Sequence, residues 1–330
     1  MRAVVVENPG KESRLRVAEV PAPALEPGSM RIRVAAFAVN RGDLLQREGL
    51  YPPPPGASEI LGLECAGEIV DLGAEVEGWR LGERVMALLA GGGYAEEVVV
   101  PAPCVMRVPE RLSFTEAAAI PEVFLTVHQN VFLHARLAAD EWLLVHGGAS
   151  GIGTAAIQLG CEAGARVVVT AGSDEKCARC RKLGAQVAVN YRTQSFAEVV
   201  GEATQGRGVD VVLDHIGGAY LAPNLDALAV DGRLALIGLM GGARAEINLG
   251  LVVGKRLSIL GSTLRARSVA YKGQLVASFV ERFGPALEAG RVAPVVDCVL
   301  PMEQVEQAHA RMRESAHFGK IVLAVEGASG

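Results

Sequence analysis

The sequence lacks the features that mark several large classes of protein. It has no apolar run of the roughly 18 residues that cross a bilayer, so no membrane span is expected. Its 37 acidic and 32 basic side chains give a net charge of −5, which argues against a nucleic-acid partner. The apolar start of the chain is too short for a signal peptide. These absences predict a cytoplasmic protein that binds neither membranes nor nucleic acids.

Cysteine is also sparse, with six residues scattered along the chain. Without a secretory signal, reduced thiols are expected rather than a disulfide framework. Cys177 and Cys180 form a C-x-x-C pair, but no second pair accompanies them, so the pair is predicted to lie on the surface of a helix.

The first third of the chain has short apolar runs separated by turn residues, a pattern typical of β structure. Half of the 330 residues are hydrophobic, enough for a large core and two domains. Short runs rich in valine and isoleucine, bounded by proline or glycine, predict strands at residues 3–6, 31–36, 66–72 and 97–100. Two loops of interest, residues 39–51 and 62–68, are expected within this strand-rich module.

The pattern changes after residue 108. Ser113 and Glu116 have the spacing of a capping box and predict a helix start. Beyond Pro121 a helical pattern resumes over 123–133, and strands then alternate with helices. The predicted strands are 141–145, 166–170, 186–190, 209–214 and 232–238, and the predicted helices are 174–183, 195–204 and 220–228. Such alternation predicts a doubly wound parallel sheet.

The remaining residues complete this organisation. An apolar segment at 258–261 is a candidate sheet edge for pairing with a second subunit, so a homodimer is expected. A helix at 269–287, a strand at 295–299, a helix at 303–313 and a strand at 319–325 follow. This tail is too short for a third core and is predicted to return to the first module.

A glycine-rich turn is the strongest functional signal. The segment HGGASGIGT, residues 146–154, joins a predicted strand to a predicted helix. Small residues let a ligand approach the backbone, and the helix start directs free N–H groups at it. Similar turns occur as plain connections, but a doubly wound sheet is the context that a dinucleotide site requires. A diphosphate is therefore expected here.

The end of the next strand bears on the choice of nucleotide. Ser173 is a predicted N-cap, and Lys176 in the first turn opposes the helix dipole unless a phosphate is bound there. Tyr191 ends the third strand and can reach the same place. We therefore predict an NADPH site, with Ser173, Lys176 and Tyr191 around the 2′-phosphate. Asp174 keeps NADH possible, and Lys176 alternatively is a solvated surface charge.

The motifs together resemble one family, the zinc-independent quinone oxidoreductases of the zeta-crystallin-like group within the medium-chain dehydrogenase/reductase superfamily. The resemblance covers essentially the whole chain. Its motifs are VNRGDLLQREGLYPPPPGAS at 39–58, AAAIPE at 117–122, SGIGTAAIQL at 150–159, DHIGG at 214–218, GLMGG at 238–242 and GKIVL at 319–323. It implies an α/β fold with a GroES-like catalytic domain at 1–118 and 266–330 and a Rossmann domain at 119–265.

Zinc ligands of related alcohol dehydrogenases are missing. Those enzymes carry a cysteine where Asn40 and Arg41 stand, a histidine at the position of Leu63, and a four-cysteine lobe after the region of Gly93. No tetrahedral metal site can be assembled from what remains, so no metal is expected. Without a Lewis acid, alcohol oxidation is disfavoured, whereas direct hydride delivery to quinones or conjugated carbonyls stays possible.

The resemblance implies roles for individual residues. Catalytic or substrate-bordering roles fall to Asn40, Asp43, Tyr51 and Arg265. Cofactor-binding roles fall to Asn40, Thr126, Gly148, Ala149, Ser150, Gly151, Ile152, Gly153, Gly172, Ser173, Lys176, Tyr191, Ile216, Gly238, Leu239, Met240, Phe318 and Lys320. Asn40 and Asp43 alternatively form a turn, and Arg265 alternatively is a surface charge. His128 is a core or surface histidine rather than a proton donor.

Three functions remain open at this point. The first is an NADPH-dependent quinone reductase, and the second is an enoyl or 2-alkenal reductase that uses the same hydride geometry. The third belongs to another class: an NADPH-binding protein with a structural or regulatory role. The physiological acceptor and the number of electrons transferred in one step cannot be derived from the sequence.

Overall fold

The computed structural model describes residues 1–325, and the chain divides into two units. Unit 1 comprises Met1–Leu125, Leu264–Gly290 and the chain from Pro294 onward. Unit 2 comprises Thr126–Thr263 and Arg291–Ala293. The boundaries therefore fall after residues 125 and 263, whereas the sequence placed them after 118 and 265.

Strands and helices are labelled in chain order. The strands are β1 (Arg2–Glu7), β2 (Arg14–Glu19), β3 (Ser29–Ala38), β4 (Glu64–Leu72), β5 (Arg84–Leu88), β6 (Glu97–Pro101), β7 (Val105–Arg107), β8 (Trp142–Val145), β9 (Arg166–Ala171), β10 (Val187–Asn190), β11 (Val209–Asp214), β12 (Leu228–Leu236), β13 (Ser258–Gly261), β14 (Val296–Pro301) and β15 (Lys320–Ala324). The helices are α1 (Arg41–Arg47), α2 (Phe114–Ala117), α3 (Pro121–Val127), α4 (Gly151–Glu162), α5 (Asp174–Lys182), α6 (Phe196–Ala203), α7 (Leu221–Ala227), α8 (Leu249–Lys255), α9 (Val269–Glu288) and α10 (Val305–Arg313).

Unit 1 is the GroES-like unit. Its main sheet has the order β14-β15-β3-β4-β5-β7, with β6 also paired to β3, while β1 and β2 form a separate antiparallel pair. The strand β15 pairs antiparallel with β3, so the tail returns to the first module as predicted. Alternating side chains of β3, including Met30, Ile32 and Val34, point into the core.

Two expected loops of unit 1 are instead regular structure. Residues 41–47 form α1, and residues 64–68 belong to β4. The Asp43 carboxylate accepts the backbone N–H of Asn40 at 2.8 Å, as the third residue of a capping box does. Gly42 and the four following prolines obscure this helix in the sequence, because both residue types weaken a helical pattern. The predicted capping box of α2 is confirmed, since the Ser113 hydroxyl accepts the N–H of Glu116.

Unit 2 is the Rossmann unit, and the predicted doubly wound sheet is confirmed. Six parallel strands follow the order β10-β9-β8-β11-β12-β13, in which the chain reverses direction across the sheet beside β8. That reversal is the switch point at which nucleotides bind in such sheets. The largest differences are that β12 begins at Leu228, directly after α7, rather than at residue 232, and that α8 was not predicted.

The helix that opens unit 2 is irregular. The sequence predicted one helix over 123–133, and the structure has α3 followed by a π-helical segment, His128–His134. The π-helix is rare and frequently lies at functional sites. His128 is fully buried in it.

The cysteines are all free thiols, as expected. The prediction that Cys177 and Cys180 lie on a helix surface is wrong, because both side chains of α5 face inward and are buried. Among the helices of residues 1–325, none is long and apolar enough to cross a membrane.

The strand β13 ends the Rossmann sheet and supports a prediction about assembly. Ser258, Ile259 and Gly261 are exposed along this edge. Because an uncovered edge strand is a template for pairing, we propose a homodimer that joins two β13 strands. Light scattering should give twice the 34.5 kDa mass of one chain. Ile259→Lys should shift the mass toward the monomer, while Val280→Lys, at an exposed position of α9, should not. A monomeric wild-type protein at micromolar concentration would contradict the proposal.

Candidate functional site

The glycine turn joins β8 to α4 in the geometry of a phosphate site. Gly147 has a φ of 68°, which a residue with a side chain rarely adopts. Ser150 caps α4, and its Oγ accepts the N–H of Gly153 at 3.0 Å. The N–H groups of Gly151 and Ile152 lie in the first turn, where the helix itself offers no acceptor. They are therefore available to a bound anion.

Close packing explains the glycines of this turn. A Cβ on Gly148 would lie 2.7 Å from the Val169 Cβ and 3.1 Å from the Cys180 Sγ. A Cβ on Gly153 would overlap the carbonyl oxygen of Gly147. The turn is thus pressed onto β9 and α5 and leaves no room for larger residues. The residues present fit a diphosphate, and the buried Cys180 forms part of the support beneath it.

The predicted 2′-phosphate residues lie together at the carboxyl ends of β9 and β10. Ser173 caps α5, and its Oγ accepts the N–H of Lys176 at 3.2 Å. The Tyr191 hydroxyl lies 2.7 Å from where a Cβ of Gly172 would stand, so the phenol occupies the space that glycine leaves. Asp174 accepts a hydrogen bond from Asn190 Nδ2 at 2.8 Å, so one carboxylate oxygen is already engaged.

The other cofactor residues of the Rossmann unit lie after β11 and β12. Asp214 accepts the N–H groups of Ile216 and Gly217, at 2.6 and 3.1 Å, and fixes the loop after β11. The loop after β12 is bound to it, because Met240 N–H donates to the His215 carbonyl. Leu239 and Met240 are about half exposed, at 56% and 53%. The Thr126 carbonyl accepts from Asn130 Nδ2.

A buried ion pair dominates the GroES-like unit. The Lys320 ammonium lies 2.7 Å from Glu64 Oε1 and donates to Asn40 Oδ1 at 2.6 Å and to the Val39 carbonyl at 2.9 Å. Asn40 Nδ2 donates to Glu64 Oε1 at 2.8 Å. The side chains of Lys320 and Glu64 are 4% and 0% exposed, so this charge pair is removed from water.

Asp43 is a second buried carboxyl beside that pair. It accepts the N–H groups of Asn40 and Gly62 and the hydroxyl of Tyr94, the last at 3.1 Å. Burial raises the pKa of Asp43 to about 6, although the three hydrogen bonds and the charge of Lys320 oppose the rise. These contacts give Asp43 a structural role in holding the start of α1.

Tyr94 continues this network outward. Its hydroxyl lies 3.1 Å from His309 Nε2, and His309 Nδ1 lies 3.5 Å from Arg47 Nη1. Arg47 in turn forms a two-pronged ion pair with Glu306. Burial, together with the charge of Arg47, lowers the pKa of His309 to about 3, so this imidazole is neutral at physiological pH.

Arg265 is buried, which excludes the alternative of a surface charge. Its guanidinium donates to the carbonyl oxygens of Ala90 and Tyr51 and to Gln46 Oε1, and it lies 5.2 Å from the centre of the Tyr51 ring. The ring also packs on Gly42, where a Cβ would lie 3.4 Å from it. Arg265 therefore positions Tyr51, and burial raises the pKa of the Tyr51 hydroxyl.

The remaining predicted residue of this unit, Phe318, is buried, and its N–H donates to Asp297 Oδ1 at 2.9 Å.

The sequence did not predict a role for Glu122, which lies in the first turn of α3. Its N–H donates to Glu64 Oε2 at 2.8 Å, and the residue as a whole is half-buried. It also missed the roles of Glu64, Tyr94, Lys272 and His309. The AAAIPE motif contains Glu122, but nothing in the sequence places that motif beside Glu64.

No metal centre is seen among residues 1–325, where no three histidine, cysteine, aspartate or glutamate side chains are grouped as metal ligands. The independence of the chemistry from zinc stays a prediction that the missing ligands suggest.

Comparison with known proteins gives two family matches. The model described as Alcohol dehydrogenase GroES-like domain matches residues 26–110, and the model described as Zinc-binding dehydrogenase matches residues 151–281. The first match lies in unit 1, and most of the second lies in unit 2.

Individual relatives match over almost the full chain. Quinone oxidoreductase-like protein 2 of Bos taurus is 30% identical over 94% of this chain and 89% of its own length. The crystal structure of an NAD-dependent alcohol dehydrogenase is 35% identical, with a TM-score of 0.86 over 98% of this chain and 100% of that one. The crystal structure of CurK enoyl reductase is 28% identical, with a TM-score of 0.85 over 98% and 99%.

The buried ion pair gives a prediction about stability. Lys320→Met should lower the free energy of unfolding by about 3–5 kcal/mol, because Glu64 would be left buried without a cation. Denaturant unfolding measures this loss. Adding Glu64→Gln should restore part of it, since the uncompensated charge is then gone. Lys11→Met, at an exposed position, should change stability by less than about 0.5 kcal/mol. Wild-type stability of Lys320→Met would show that the ion pair contributes nothing.

Proposed function

Because this chain belongs to the medium-chain dehydrogenase/reductase superfamily of oxidoreductases, we propose that it reduces quinones with NADPH and without a catalytic zinc. Members of the superfamily bind nicotinamide cofactors, and the glycine turn of the Rossmann unit fits a diphosphate. The observation that carries the proposal is the Lys320 ammonium, which already compensates the charge of Glu64 and engages Asn40. Because a cation of the chain already neutralises Glu64, no metal ion is needed to compensate this carboxylate, and an acceptor that needs no Lewis acid is favoured.

The proposed cofactor contacts divide between backbone and side chains. The N–H groups of Gly151 and Ile152 would bind the diphosphate at the start of α4. Lys176 and Tyr191 would bind the 2′-phosphate, with Ser173 setting the helix start. The engagement of Asp174 by Asn190 supports NADPH over NADH, because an acidic side chain in this region is what binds free ribose hydroxyls. NADH remains the alternative cofactor.

The proposed acceptor is a flat, electron-poor ring or a conjugated carbonyl. Tyr51 offers an aromatic face next to the proline run, and Arg265 holds it in place. When bound, the reduced nicotinamide supplies a hydride to the acceptor. The chain contributes orientation, a site of low dielectric constant, and hydrogen-bond donors for the negative charge that develops on the acceptor oxygen.

The second candidate is an enoyl or 2-alkenal reductase. Similarity to CurK enoyl reductase over nearly the full chain favours it. In that case the same donors would stabilise an enolate, and a proton would be added at the α carbon. A third candidate, a cofactor-binding protein without catalysis, would bind NADPH and turn over no acceptor.

One panel of acceptors tests these functions. We expect NADPH to be consumed with 1,2-naphthoquinone and 1,4-benzoquinone, because quinones accept a hydride without metal activation. Turnover would be followed by loss of NADPH absorbance, alongside direct measurement of NADPH binding. Faster turnover of 2-hexenal or a crotonyl thioester would favour the double-bond reductase. Tight binding of NADPH with no turnover of any acceptor would favour the third candidate.

A second prediction concerns the cofactor. Lys176→Ala should raise KM for NADPH at least about 10-fold, the effect of losing a charged hydrogen bond worth about 1.5–3 kcal/mol, and should leave KM for NADH unchanged. Lys182→Ala removes the same charge from the other end of α5 and should change neither value. A wild-type preference for NADH that Lys176→Ala leaves unaltered would contradict the NADPH site.

A further inference from the structure

Three carboxyl groups lie near one another in the GroES-like unit, and two of them are fully provided with donors. Asp43 accepts three hydrogen bonds, from Asn40, Gly62 and Tyr94. Glu64 accepts from Lys320 and Asn40 on one oxygen and from the Glu122 N–H on the other. Both can therefore hold a negative charge away from water. The third carboxyl, that of Glu122, has no such set of donors.

The nearby cations bind acceptors other than Glu122. An ammonium has three protons, and those of Lys320 go to Glu64, Asn40 and the Val39 carbonyl. Arg265 donates to two carbonyl oxygens and to Gln46. Lys272, buried on α9, donates to the Arg265 carbonyl. Within residues 1–325 the Glu122 carboxyl forms neither an ion pair nor a hydrogen bond, although its own N–H is bound to the charged Glu64.

We propose that Glu122 is held as a neutral carboxylic acid and donates the proton that completes reduction of the acceptor. This role rests on the proposed function. The residue as a whole is half-buried, and its carboxyl lies close enough to Glu64, Asp43 and Lys320 to interact with their charges. A negative charge on Glu122 would raise the pKa of the hydroxyl of Tyr51, the residue proposed to border the acceptor.

The proton balance of this step is simple. An acceptor that has received a hydride from the reduced nicotinamide carries a negative charge on oxygen. The O–H bond of Glu122 breaks, its electron pair stays on the carboxylate, and the proton forms the new O–H bond of the product. The carboxylate then recovers a proton from water. Each turnover thus consumes one hydride and one solvent proton.

The electrostatics of the surroundings support a neutral Glu122. Burial, together with the charges of Glu64 and Asp43, raises the pKa of Glu122 to about 8 against the opposing charges of Lys320 and Lys272. Arg265 and Tyr51 are also titratable groups that interact with Glu122, while Tyr94, Cys65 and Cys104 interact with its charged neighbours. Of the two residues that could donate a proton to the acceptor, Glu122 and Tyr51, Tyr51 is the weaker acid, because burial raises its pKa above the ordinary value of 10. At pH 7 most Glu122 carboxyls are therefore neutral.

Glu122→Gln tests the proposal, because it keeps the shape and removes the acid. Wild-type kcat with 1,2-naphthoquinone should fall as pH rises through about 8, where the acid is lost. The variant should be about 100-fold slower and should lack this pH dependence, with KM for NADPH unchanged. Glu110→Gln, at an exposed position, should behave as wild type. An unaltered pH profile in Glu122→Gln would overturn the proposal.

A readout that needs no turnover separates this proposal from the proposed function. The infrared C=O band of a neutral carboxyl should titrate near pH 8 in the resting wild-type protein and be missing in Glu122→Gln. Thermal unfolding gives a second check. A folded-state pKa above the unfolded value contributes stability that is lost as pH rises from about 4.5 to about 8, so the variant should gain Tm relative to wild type across this window.

The outcomes are distinct. If no band or stability difference titrates near pH 8, the neutral carboxyl does not exist and the proposal fails whether or not quinones are reduced. If the infrared band and the stability difference both titrate near pH 8 but wild type turns over no acceptor, the proposed function is wrong, and Glu122 cannot be a proton donor to that acceptor. If both titrate and turnover loses its pH dependence in the variant, the assignment of Glu122 stands.

Discussion

The burial of a single ammonium group constrains the GroES-like unit more than any other interaction. Lys320 begins β15, and its three protons reach the end of β3, the cap of α1 and the start of β4. An ammonium in a medium of low dielectric constant requires a carboxylate and a full set of acceptors. These contacts therefore fix three features together: the position of β15, the conformation at Asn40 and the orientation of Glu64. Glu64 extends the constraint to α3 by accepting the Glu122 N–H.

This constraint sets the charge states around it. Because Lys320 is fully engaged by Glu64 and Asn40, it compensates one carboxylate and not two. Asp43 is stabilised instead by neutral donors, and its pKa still rises to about 6. The outward chain through Tyr94 ends at a neutral His309 and the cation Arg47, so it holds Asp43 in place without supplying it with a second charge.

The sequence predicted the alternating strands and helices of the Rossmann unit but not the contacts around Lys320, and the reason is the range of the contacts. Each strand, turn and helix around Gly148 or Ser173 is encoded within about twenty consecutive residues, so periodicity and capping residues identify it. Lys320 and Asn40 are 280 positions apart, and no local sequence pattern predicts their hydrogen bond. Helix α1 was not predicted, because Gly42 and the prolines beyond it oppose a helical pattern. The capping-box spacing of Asn40 and Asp43 was the one local signal for this helix. The inward direction of Cys177 and Cys180 follows from how α5 packs on the sheet, which the C-x-x-C spacing does not reveal.

The distribution of charge suggests why a neutral acid suits this unit. Arg265 and Lys272 are buried cations whose hydrogen bonds go to carbonyl oxygens and an amide, so their charges are not cancelled by a carboxylate bonded to them. Lys320 is cancelled by Glu64, and Asp43 offsets one of the remaining two cations. With Glu122 neutral, the surroundings keep a net positive charge, which favours an acceptor that is becoming an oxyanion. Once Glu122 has given up its proton, the local charge is balanced and the product is neutral. The electrostatic attraction for the oxygen is then gone at the stage where the product must leave.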